Sequence, residues 1–271
     1  VRIDRRTLFA LGAGLGVSAA WPLRTAAALP APGGNSFAPS LSEAPDAARL
    51  RAMIRGGLVR DDASALLSVF GIDASMANDV LLRATRADAL PDGYTPRDLL
   101  VASSSGIAAA GRQLVRSVIV DDTRALIAAA QDDGLRLYVG SGFRSQAYQD
   151  DVFAAQTARW GDADTANRYS ARPGHSQHQL GTTIDFTTEF RSFRTNGAAD
   201  WLRSTAHEFG FVLPYTVAAS ERTGYVDEPW HGRWVGRGLA SLLQSLGYQA
   251  WSELDADDVI ALVRVEAGLD A

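Results

Sequence analysis

The chain has 271 residues, 46% of them hydrophobic and 21% charged, and a formal net charge of −5. These proportions describe a globular protein able to bury one good core, and the acidic balance argues against nucleic acid as a partner, which would want a basic face. There is no cysteine, which excludes disulfides, thiolate metal sites and a cysteine nucleophile. All 26 basic residues are arginine, so a lysine Schiff base or a phosphate-loop lysine is excluded too.

The first segment reads as an address. Arg5-Arg6-Thr7-Leu8-Phe9 leads into an apolar run, Leu8 to Ala20, and then to Ala26-Ala27-Ala28. A charged start, a short apolar stretch and small residues predict an export signal over residues 1–28, with the paired arginines pointing to the twin-arginine route. The competing reading is a membrane anchor or a buried helix, against which stands the roughly 20 apolar residues that a span needs. The expectation is an exported protein of the periplasm or cell envelope, with no membrane span once it is cleaved near Ala28.

Residues 29–41 hold three prolines and two adjacent glycines and read as a linker. From 42 to 86 the apolar spacing of Leu50, Met53 and Ile54, then Leu66, Leu67 and Phe70, predicts a helical prelude. The main domain is expected over 87–250, beginning at the turn-rich Leu90-Pro91-Asp92-Gly93-Tyr94. Leu114, Val115, Val118, Leu126, Ile127 and Ala130 predict a helix over 112–133 that Gly134 stops. Leu135 to Val139 alternates as a half-buried strand. Ser145 is placed to cap a helix running to about Arg159. A further helix is expected over 198–209, strands around 182–186 and 223–235, and a C-terminal helix within 251–271. Helices alternate with isolated strands without a βαβ rhythm, so the fold class is α+β.

Two short segments hold most of the unusual chemistry: Arg172 to Phe186, which contains His175, Ser176, His178 and Asp185, and Glu228-Pro229-Trp230-His231. Without cysteine, a metal here must take nitrogen and oxygen ligands. His178, Asp185 and His231 could supply the three that a catalytic Zn²⁺ takes beside its water. Glu228 would then be the base that accepts a proton from that water. Glu228 and His231 are three apart, which in a regular strand sends them to opposite faces, so a bend between them is expected. Each residue also has a bland reading: a structural loop histidine, a strand-end carboxylate, a surface acid before a turn. His175 is expected to serve its loop and His207 to be solvated.

The combination resembles the VanY-type D-alanyl-D-alanine carboxypeptidases, within the broader group that includes lysostaphin-like peptidases and hedgehog domains. The family pattern S-x-H-x-x-G-x-A-x-D is matched by Ser176 through Asp185, with Thr183 in place of alanine, and E-P-W-H is intact at Glu228–His231. Ser141-Gly142-Phe143-Arg144-Ser145 and Gln149 resemble the family's S-G-Y-R-S-x-x-x-Q segment. The resemblance spans about Leu90 to Gly247. It implies a small antiparallel sheet carrying a zinc site, flanked by helices, with His178, Asp185 and His231 as zinc ligands and Glu228 as general base. It implies that Arg144, Gln149 and Ser176 bind the terminal D-residue of peptidoglycan stem peptides. A guanidinium fork suits a free carboxylate; the alternative for Arg144 is a surface pair with Asp150 or Asp151. Gln177 stands where the family often has glutamate, removing a charge beside the first ligand.

The activity so implied is a DD- or LD-carboxypeptidase, since both occur on this scaffold. The alternatives are a peptidoglycan endopeptidase, which Arg144 disfavours, a non-catalytic zinc-containing cell-wall binding module, which the presence of Glu228 disfavours, and a structural envelope protein.

Overall fold

The computed structural model describes Leu67 and residues 71–188, 193–245, 247, 256–266 and 269. The expected export signal, the linker and most of the helical prelude lie outside the described residues. Helix α1, Ala74–Val80, opens at Asp73, whose carboxylate accepts from Ser75 N at 2.8 Å. It ends at Val80, so the helical pattern expected over 42–86 does not run to Arg86. Thr85 Oγ1 accepts from the backbone N–H groups of Ala87 at 3.1 Å and Asp88 at 2.9 Å, a local turn that competes with helix.

Strand β1, Leu99–Val101, pairs antiparallel with β2, Leu114–Arg116. The helix expected over 112–133 is therefore shorter, and α2 spans Val120–Asp132. Leu114 and Val115 meet a helical pattern, but their backbone is held by β1, and Arg116 N donates to Gly181 O at 3.0 Å. Pairing here overrides the local period. At the other end of α2, Gly134 takes a left-handed φ of 80° and Leu135 N donates back to Ala130 O at 2.7 Å. This six-to-one closure keeps Leu135 with the helix, so the strand expected from that residue begins later, as β3, Tyr138–Ser141.

Ser145 caps α3, Gln146–Trp160, by accepting from Tyr148 N, and the short α4, Ala163–Ala166, follows. Strand β4 is Thr183–Thr187. The helix expected over 198–209 divides into α5, Ala198–Thr205, and a 3₁₀ turn, Ala206–Phe209. Then come β5, Phe211–Val212, and the short α6, Ser220–Thr223. The strand expected over 223–235 is confined to β6, His231–Trp234: Thr223 ends the helix α6, and Pro229 and Trp230 form a turn directly before the strand. Helices α7, Arg237–Ser245, and α8, Ala256–Glu266, complete the described chain.

The main sheet has the order β3-β4-β6-β5 and is antiparallel at every pairing. One face is buried: Ile184 and Phe186 of β4 pack into the same core as Leu126 of α2, Leu202 of α5, Leu239 and Leu243 of α7, and Val259 and Val263 of α8. Each such side chain contributes about 1.5–3 kcal/mol on burial. Trp234, on β6, is tied to α2 by donating Nε1–H to Asp122 Oδ2 at 2.7 Å. The architecture is the expected mix of helices and small antiparallel sheets. Among the described residues, no helix is long and apolar enough to cross a membrane.

Candidate active site

Side chains alternate along a strand, so with Ile184 and Phe186 in the core, Asp185 projects from the opposite face of β4. Its register partners are Ser141 on β3 and His231 on β6. The pairing of β3 slips between Val139 and Ser141, a bulge of the kind that re-aims side chains, and it sets Ser141 opposite Asp185. Glu228 reaches the same place through the expected bend. His231 N donates to Glu228 O at 3.0 Å, closing a turn over Pro229 and Trp230.

His178 comes from the 3₁₀ turn Gln177–Leu180, capped by Ser176, whose Oγ accepts from His178 N at 3.3 Å. The Ser141–Arg144 segment is laced to this turn. Arg144 N donates to His178 O at 3.2 Å, and Gly142 O faces His178 Nδ1 at 2.8 Å. Gly142 itself lies against β2: a Cβ there would sit 2.2 Å from Leu114 O, so only glycine permits the approach.

His178 Nε2 and His231 Nδ1 lie 3.2 and 3.1 Å from Asp185 Oδ1, and the ligand atoms of these three residues all fall within 4.8 Å of one another. Each ring has its other nitrogen against an acceptor, His178 Nδ1 at Gly142 O and His231 Nε2 at Gln177 Oε1, 3.0 Å away. When both outer nitrogens donate, three lone pairs converge on one point. Lone pairs so placed repel unless a cation lies among them. Two imidazoles and one carboxylate suit Zn²⁺, and outer hydrogen bonds of this kind fix ligand tautomers. The residues present fit a zinc ion.

The electrostatics follow from burial. Burial pushes the His231 imidazole down to about 4, so the ring is neutral at neutral pH. Burial alone would raise Asp185, but His178, His231 and Arg144 hold it well below the usual carboxylate range. Burial and the charge of Asp185 push the Glu228 carboxyl up to about 8. Its Oε2 lies 3.6 Å from His231 Nδ1.

Arg144 also joins the cluster. Its Nε donates to Ser141 Oγ at 2.9 Å and Nη2 to Asp185 Oδ2 at 2.7 Å; its ion pair is with Asp185, not with Asp150 or Asp151. Gln149 and Ser176 are placed differently. Gln149 is fully buried and its Nε2 donates to Ser170 Oγ at 3.0 Å and Ala171 O at 2.7 Å, holding the loop before Pro173. Ser176 directs its hydroxyl at the backbone of His178. His175 Nδ1 faces Thr85 O at 2.7 Å, in keeping with service to its loop. His207, in the 3₁₀ turn that ends α5, is half-buried rather than solvated.

Three contributors were not singled out as site residues in the sequence. Gly142 provides a carbonyl. Gln177 touches the second histidine. The ring of Tyr215 packs at a 45° tilt against that of His231, centroids 4.7 Å apart, and its carbonyl accepts from Glu228 N at 2.9 Å. For Tyr215 no sequence signal existed, since it lies in an irregular stretch without a motif.

The model of the VanY family, D-alanyl-D-alanine carboxypeptidase, matches residues 112–237, which include every one of these groups. Residues 112–237 thus resemble the VanY family. The chain is 30% identical over 174 residues to YodJ of Bacillus subtilis (strain 168), an alignment covering 61% of the chain and 63% of that relative. The chain thus spans less than two thirds of that protein's length. Among solved structures it resembles the LdcB LD-carboxypeptidase, with a TM-score of 0.56 and 26% identity over 63% of this chain and 83% of that one. It also resembles a VanY D,D-pentapeptidase in complex with Zn(II), with a TM-score of 0.55 and 25% identity over 62% of this chain and 95% of that one. The chain thus shares the α+β scaffold of these peptidases.

Proposed function

We propose that the protein is an exported, zinc-dependent carboxypeptidase of the periplasm or cell envelope that removes the C-terminal D-amino acid from peptidoglycan stem peptides. The carrying observation is the convergence of His178 Nε2, Asp185 and His231 Nδ1 on one point, with the Glu228 carboxyl beside it. Support comes from the match of residues 112–237 to the VanY family model, from the Zn(II) complex of a similar VanY pentapeptidase, and from the paired arginines and apolar run of residues 1–28. The carboxypeptidase domain is assigned to 87–250, after a prelude over 42–86 and before a C-terminal helical segment over 251–271.

His178, Asp185 and His231 would hold the zinc, which when bound supplies an acidified water and a polarised carbonyl. Glu228 takes the proton released as water adds to the scissile carbonyl and returns it to the leaving amine. A cation beside Glu228 opposes the effect of burial and draws its pKa down toward a base's working range. Arg144 holds the substrate's terminal carboxylate: two of its N–H groups are bound to Ser141 and Asp185, and the guanidinium has five. Tyr215 packs against the ring of His231.

The test is release of free D-alanine from synthetic penta- and tetrapeptide stems by metal-stripped protein, with and without added zinc. Zinc-dependent release is expected, from the pentapeptide for a DD-enzyme or the tetrapeptide for an LD-enzyme. No release from either by zinc-loaded protein would overturn the reading in favour of a binding module or an endopeptidase.

A further inference from the structure

We propose that Gln177 is the positioning residue for His231: its amide oxygen accepts the ring's Nε2–H and so presents the Nδ1 lone pair to the metal position. The inference rests on the reading of His231 as a zinc ligand and deepens it.

Gln177 is 1% exposed and its Oε1 lies 3.0 Å from His231 Nε2. A buried amide without a partner is costly, so this contact is an anchored one. It is also needed. Asp185 Oδ1 lies 3.1 Å from His231 Nδ1 and draws the ring proton toward Nδ1, the tautomer that cannot bind a metal through that atom. An acceptor fixed on the far side of the ring opposes it.

For His178 the same task falls to Gly142 O, a backbone atom that no side-chain change removes. For His231 it falls to one side chain. Gln177 directly precedes His178 in the same 3₁₀ turn. That single turn therefore delivers one ligand and the outer partner of the other, joining the loop before β4 to the start of β6. Because the acceptor is a neutral amide, it orients His231 without adding a third negative charge beside Asp185 and Glu228.

The experiment measures Zn²⁺ affinity by chelator competition on the whole metal-stripped chain, for wild type, Gln177→Leu and Gln177→Glu. Loss of an outer partner weakens metal binding by about 10–100-fold. That loss is expected for Gln177→Leu, while Gln177→Glu, which keeps an acceptor, binds as tightly as wild type or tighter. In the Co²⁺-loaded protein, proton NMR should show an exchangeable downfield signal for the His231 Nε2–H that moves or exchanges rapidly in Gln177→Leu. A packing role alone would not move that signal. If Gln177→Leu fails to fold, Gln177→Asn, whose amide is shorter by one methylene, takes its place with the same expected loss.

Gln177→Leu within threefold of wild type, or a folded Gln177→Glu as weak as Gln177→Leu, overturns the proposal. A wild type that binds no zinc overturns both this and the metal reading. A wild type that hydrolyses no stem peptide, but whose zinc affinity falls in Gln177→Leu, sinks the peptidase reading alone.

Discussion

Replacing Glu228 by glutamine should make a protein that is inactive and, without metal, more stable. The carboxyl is raised from its ordinary 4.5 to about 8, by burial first and by the charge of Asp185 second. Each unit is worth about 1.4 kcal/mol, so forcing the ionised group into the folded, metal-free site costs up to about 5 kcal/mol. The folded pKa lies above the unfolded one, so this handicap is absent below about pH 4.5, grows as pH rises and is complete above about pH 8. Glu228→Gln keeps the shape and removes the charge. Urea unfolding of the metal-free proteins should therefore show the variant several kcal/mol more stable than wild type at pH 9 and similar to it at pH 4. With zinc restored, loss of a general base lowers kcat by about 10²–10⁴-fold while zinc affinity stays within an order of magnitude. Equal stabilities at pH 9 would refute the buried-carboxylate reading, and unchanged kcat would refute the assignment of the base.

Gly142→Ala forces a Cβ against the backbone oxygen of Leu114; overpacking of this kind costs about 1–3 kcal/mol, and moving the Gly142 carbonyl off His178 should lower zinc affinity about tenfold or more, read by thermal melts and chelator competition. Arg144→Ala should lower kcat/KM by about 10²-fold, since a charge-assisted hydrogen bond is worth about 1.5–3 kcal/mol. A C-terminally amidated stem peptide, which lacks the carboxylate, should be cleaved equally poorly by wild type and variant. For Asp98, burial works to raise the pKa, but Ser117 and Arg116, bonded at 2.7 and 2.8 Å, more than offset it and leave the carboxyl below its ordinary value. Its stabilisation is thus present above about pH 4 and lost in acid, so Asp98→Asn should be about 1–2 kcal/mol less stable than wild type at pH 7 and indistinguishable from it in strong acid.

Much of the site could be read from the sequence because its residues stand in two compact motifs. His178, Asp185, Glu228 and His231 were expected together, and β4 and β6 place two of them directly opposite each other. Even the bend between Glu228 and His231 followed from strand geometry alone. What escaped depended on partners distant in the chain. Leu114 to Arg116 carries a helical spacing, yet becomes a strand because Leu99 to Val101 lies beside it. Gln149 Nε2 and Ser176 Oγ also hold the loop before Pro173 and the turn of His178, contacts that their motifs do not spell out. Tyr215 meets His231 only because β6 and the segment after β5 come together, a juxtaposition no local pattern records.

The most direct measurement is anomalous diffraction at the zinc edge from crystals grown with stoichiometric zinc. A single peak is predicted at bonding distance, about 2.0–2.2 Å, from His178 Nε2, Asp185 and His231 Nδ1, with Gln177 still on His231 Nε2. A peak elsewhere, ligation of His231 through Nε2, or no peak at all would contradict the account.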